Sequence, residues 1–173
     1  MRSKLGYARL ARRLYATAWV REQPGEEESV LAEGNKALVG RFVEEVFVRA
    51  NSDAMEDLVT DDFHSHAWAK DFDIPDGPEG VRQFIAIMNS AFSNAHVRLE
   101  DVLADGDRVA VRYVYEADHT GELMGIGATG ERIRLPGIFI ARVEDGKLAE
   151  YWRQEDHLGL MQQLGALPAP EES

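Results

Sequence analysis

At 173 residues, with a net charge of −12 and no cysteine, the chain has the length of one domain. It cannot carry a disulfide framework, a thiolate metal site or a cysteine nucleophile. The acidic balance, with a pI near 4.8, argues against nucleic acid as a partner. No apolar run is long enough to cross a bilayer, and the composition suits a cytoplasmic protein with an uncharged or apolar substrate.

Residues 1–21 hold six bases and no acid, which leaves 13 bases against 31 acids in the remainder. Leu5, Leu10, Leu14 and Val20, with Tyr7, Tyr15 and Trp19, make a ragged basic amphipathic helix. This is either an organelle-targeting or membrane-surface segment or an appended tail. Residues 23–29, QPGEEES, read as a linker, so residues 1–34 are expected to be an extension of a domain over 35–166, with 167–173 as a tail.

From Asn35, Leu38, Val39, Phe42, Val43, Val46 and Phe47 recur at helical spacing. A short second helix is expected with Asp53 as N-cap and Glu56 in capping-box position, burying Met55, Leu58 and Val59. Asp61-Asp62 end it, and residues 63–68 read as a short strand. A polar loop through Pro75, Gly77 and Pro78 leads to a helix with Val81, Phe84, Ile85, Met88 and Phe92 on one side.

At His96 the period changes to that of strands. Residues 96–103 form one, Asp105-Gly106-Asp107 turns it, and 108–119 form a long second strand. The odd positions of that strand, Val109 to His119, face a core or pocket. A glycine-rich connection over 121–130 leads to a strand over 131–143. Asp145-Gly146 is a hairpin turn, and the last strand places Trp152, Gln154 and Asp156 on one face. Asp156 stands directly before HLGLMQQLG, where an aspartate caps a helix. Helices followed by a curved antiparallel sheet make an α+β arrangement, and its concavity suits a small ligand.

The strings NKALVGRFVEEVF, DDFHSHAW, GPEGVRQFI, DHTGELMGIGATGERI and GIFIARVEDGKLAEYWRQEDHLGLMQQLG resemble, in this order, the SnoaL-like polyketide cyclases of the NTF2-like (cystatin-like α+β barrel) superfamily. They cover roughly residues 35–166. The resemblance implies a cone-shaped barrel, its sheet wrapped around the N-terminal helices, and an intramolecular aldol closure of an aromatic polyketide ester. It also implies a homodimer paired through the outer sheet face. Carried over by motif, the acid/base aspartate is Asp156, four residues after Trp152, and the pocket histidine is His66. Gln154 or His66 would donate to the enolate; Trp152 and Trp68 would offer flat surface to fused rings; His119 and Tyr113 would complete the ligand contacts. The expected ligand is a small apolar or aromatic carbonyl or ester compound, with no metal and no organic cofactor.

The chain departs from the family pattern at Ile126-Gly127-Ala128-Thr129-Gly130, which alters the pocket rim, and at His157. His64, His66 and His119 lack the carboxylate partner and spacing of a metal site. Epoxide hydrolysis would need an Arg-x-Asp pair and an aspartate two residues after the tryptophan. Here Val114 follows Arg112 at that spacing, and Gln154 follows Trp152. A ketosteroid-isomerase-like proton transfer and a non-catalytic ligand-binding or dimerisation module are the remaining alternatives.

Overall fold

A computed structural model describes residues 25–67 and 74–168. Helix α1 (Glu26–Val43) begins inside the stretch expected as a linker. Glu26, Glu27 and Glu28 fill its first turn, where the helix dipole favours acids. Further along, Asn35, Val39, Phe42 and Val43 are its buried positions. A π-helical turn (Glu44–Val48) continues it and brings Phe47 against the core. Asn51, rather than Asp53, opens the next element by accepting the Asp53 N–H at 3.2 Å. A 3-10 turn (Ser52–Ala54) and the single-turn helix α2 (Met55–Leu58) follow. Strand β1 (Val59–Ser65) takes in Asp61 and Asp62 and stops before His66. Helix α3 (Gly77–Ala91), with proline in its first turn, buries Val81, Phe84 and Ile85.

Four long strands follow: β2 (Phe92–Asp105), β3 (Arg108–His119), β4 (Arg132–Glu144) and β5 (Lys147–Glu155), then helix α4 (His157–Gln163). The sheet order is β1-β5-β4-β3-β2. It is the expected α+β arrangement with one correction: β1 pairs with β5 in parallel, so the sheet is mixed rather than wholly antiparallel. Register breaks in β2 between Ser93 and His96 and between Leu99 and Asp101 bend the sheet, as bulges do. As expected, the odd positions of β3 from Val109 to His119 are buried. Those from Val109 to Ala117 pack with Phe42, Phe63, Phe84, Phe139 and Tyr151 in one core.

One irregularity decides what faces that core. The Asp145-Gly146 turn pairs Glu144 with Lys147 and Val143 with Leu148, but Arg142 then pairs with Glu150. One extra residue of β5 is absorbed there. A one-residue slip turns every later side chain to the other face. Beyond it Phe139 stands opposite Arg153 and Gly137 opposite Glu155. The inward set on β5 is therefore Tyr151, Arg153 and Glu155. Trp152 and Gln154 point outward, contrary to expectation.

Candidate active site

Between α3, α4 and the inward face of the sheet lies a cavity of about 170 Å³. Its wall is mostly apolar, including Phe47, Phe84, Met88, Phe92, Leu135 and Leu160. Tyr113, Arg153, Glu155 and His157 are its hydrogen-bonding and charged end. The Tyr113 hydroxyl donates to Glu155 Oε1 at 2.5 Å. Arg153 Nε lies 3.2 Å from Glu155 Oε2, with the two side chains 11% and 5% exposed. His157 Nε2, on the far more exposed ring at the cavity's rim, also lies 3.2 Å from Glu155 Oε2. The Arg153 guanidinium sits over the Phe84 ring, 5.4 Å from its centroid, an arrangement that favours a cation.

These neighbours fix the protonation states. Burial pushes the Glu155 carboxyl up, but Arg153, then His157 and Tyr113, outweigh it and hold the group below the ordinary carboxylate range. Burial, reinforced by Tyr151 and Glu155, pushes the Tyr113 phenol up. Tyr113 therefore remains a proton donor and Glu155 an acceptor at neutral pH. The site combines an apolar wall, an ionised carboxylate, a phenol and a guanidinium, which is the equipment for moving a proton and holding a developing oxyanion.

Of the expected site residues, Tyr113 lines this cavity. Asp156 is exposed and sits at the N-cap of α4, where its Oδ1 accepts the Gly159 N–H at 2.8 Å. His66 is exposed; it pairs with Glu150 at 2.9 Å and stacks on Trp152, with ring centroids 4.6 Å apart and an interplanar angle of 8°. Gln154 is exposed, opposite Ile138. His66, Trp152 and Gln154 thus border a groove on the outer face with Ile138 and Ile140. His119 is wholly buried at the end of β3, its Nδ1 taken by the Thr129 hydroxyl at 3.0 Å and by the Thr129 amide. Trp68 lies outside the described residues. Among the described residues no group of three or more histidines and acids is placed to hold a metal ion. Arg153 and Glu155 were missed because the family motif set Asp156 in the pocket, and alternation carried Trp152 and Gln154 inward with it. The available signal was the pair of charges alternating with Tyr151 on a strand that flanks the core.

The family model described as SnoaL-like polyketide cyclase matches residues 37–164. Aklanonic acid methyl ester cyclase of Streptomyces peucetius is 33% identical over 97 residues, 55% of this chain and 67% of that protein. Nogalonic acid methyl ester cyclase of Streptomyces nogalater is 27% identical over 121 residues, 69% of this chain and 89% of its own. Among solved structures, TsrD of Streptomyces laurentii superposes with a TM-score of 0.70 at 27% identity, covering 78% of this chain and 97% of that one. A SnoaL-like polyketide cyclase of Agrobacterium tumefaciens shares the fold, with a TM-score of 0.64 at 17% identity over 76% of this chain and 98% of that one. With the fold, the cavity and a match over most of its length, the chain belongs to the SnoaL-like polyketide cyclase family.

Proposed function

We propose that this cyclase closes a ring in an aromatic polyketide methyl ester by an intramolecular aldol reaction, with Glu155 as the proton-transfer group. The observation that carries the assignment is the Glu155 carboxylate inside an apolar cavity, hydrogen-bonded to Tyr113 and paired with Arg153. A carbon held between an ester and a ketone gives up its proton readily, so a carboxylate of low pKa suffices. Glu155 takes that proton. Tyr113 and Arg153 stabilise the enolate oxygen, the enolate carbon bonds to the receiving carbonyl carbon, and the alkoxide so formed recovers the proton from Glu155. The proton count balances, and no step calls for a metal or an organic cofactor.

Asp156 is the second candidate base, favoured by its place at the head of α4, whose Leu160 and Met161 line the cavity. Two substitutions separate the candidates. Glu155→Gln keeps the side-chain shape and removes the charge. Asp156→Asn removes the carboxylate and keeps a good N-cap. Assayed with aklanonic and nogalonic acid methyl esters, Glu155→Gln is expected to lower kcat/KM by roughly 100-fold or more, with Asp156→Asn within a few-fold of wild type. The reverse order moves the base to Asp156. Tight binding of the esters with no ring closure in wild type would leave a ligand-binding module. A homodimer joined through the outer sheet face, with residues 35–166 as the catalytic domain and the cytoplasm as its location, completes the proposal.

A further inference from the structure

Gly137 stands in the middle of β4, directly opposite Tyr113 on β3 and Glu155 on β5. A glycine inside a strand weakens it, and its usual justifications are a special backbone conformation or the close approach of another group. Gly137 is not among the residues with positive φ, so backbone conformation does not explain it. Close approach does. A Cβ built on Gly137 would lie 2.8 Å from Glu155 Cγ, 2.8 Å from Tyr113 Cζ and 2.8 Å from the Tyr113 hydroxyl oxygen. Tyr113 and Glu155 belong to strands two spacings apart, roughly 10 Å between backbones, yet their side chains hydrogen-bond across the intervening strand. Any side chain at 137 stands in that path.

We infer that Gly137 is a positioning residue of the cavity: its missing side chain is the opening through which Tyr113 reaches Glu155 and fixes the direction of the carboxylate. The effect on turnover rests on the reading of Glu155 as the proton-transfer group; the joining of the two side chains does not. The groups that face Glu155 are Tyr113 and Tyr115 from β3, Tyr151 and Arg153 from β5, and His157 from α4. β4 faces it with Gly137 and α3 with the apolar Phe84 and Met88. Pushing Tyr113 aside removes one of three partners that oppose the effect of burial, and the carboxyl then titrates at higher pH.

The test is a carbon-13 NMR titration of the Glu155 carboxyl in full-length protein labelled on glutamate, assigned by its loss in Glu155→Gln. Gly137→Ala and Tyr113→Phe are each expected to raise the titration midpoint, and the double variant no further than either alone, because both remove one bond. Turnover is expected to fall roughly tenfold or more in each, again without adding in the double variant. A Gly137→Ala midpoint equal to wild type, or shifts that add, would overturn the inference. Non-additive midpoint shifts with unchanged turnover would uphold the positioning role and remove Glu155 from the reaction. Should Gly137→Ala be too unstable to titrate, its cost in melting temperature is measured again on a Tyr113→Ala background, where only Glu155 Cγ still crowds the methyl. A smaller cost there than in wild type supports the steric account, and an equal cost sinks it.

Discussion

Arg153, His157 and Tyr113 hold Glu155 ionised against the effect of burial, and the consequence is measurable in stability. Its folded value lies below the ordinary carboxylate value of 4.5. For a depressed acid, the stabilisation is complete above that ordinary value and is lost as pH falls through the folded one. Removing one partner of a buried pair costs about 3 kcal/mol, because the other charge is left uncompensated; here that charge is Arg153. Glu155→Gln is therefore expected to lower stability by about that amount at pH 7. The gap should close as pH falls through the folded value, since a protonated glutamate and a glutamine present similar groups to Arg153. Urea unfolding of the two proteins at pH 7 and across the acid range checks this; a gap that stays constant with pH would be wrong for an ionised Glu155.

Helix α4 has seven residues, too few to hold itself in water, so its cap carries weight. Asp156 supplies that cap, and the absence of a side chain at Gly159 allows it: a Cβ there would lie 2.3 Å from Asp156 Oδ2. Asp156→Ala is expected to cost about 1 kcal/mol, Gly159→Ala to be destabilising by the same route, and Asp156→Asn to leave stability nearly unchanged. Thermal melts of the three variants measure it. The register of strands explains which parts of the site were legible in the sequence. β3 and β4 pair without a break from Arg108–Arg142 to Asp118–Arg132, so alternation alone correctly sent Tyr113 inward. The Asp-Gly hairpin was legible too, with Asp145 and Gly146 both at positive φ. The slip beyond Val143 was not, because Ala149 is a small apolar residue that suits either face; Trp152 and Gln154 were sent inward together with Asp156 by the family motif, and no local signal corrected them. Nor does any local signal state that β1 joins β5 in parallel, since that pairing is made between distant segments.

Across the whole molecule, the outer sheet face combines paired charges with an uncovered apolar row. Arg112 bonds Asp101 at 2.7 Å and Arg142 bonds Glu150 at 2.6 Å. Between them run Leu103, Ile138 and Ile140, all exposed, beside the His66–Trp152 stack. Scattered exposed apolar residues need no explanation, but a contiguous row on a sheet face does. If this face joins two copies, Ile138→Glu with Ile140→Glu should halve the mass seen by light scattering while leaving the cavity intact. An unchanged mass would place the partner surface elsewhere.

The extra residue of β5 also bears on how such proteins diverge. A single codon gained or lost between the hairpin turn and the start of the paired stretch at Glu150 would exchange the two walls of this strand: what now lines the cavity would meet the outside, and the reverse. Two homologues whose sequences align well on either side of that point can thus have different chemistry in the cavity. Counting residues from the turn gives the wrong wall here; the strand pairing beyond the extra residue tells which wall a side chain belongs to.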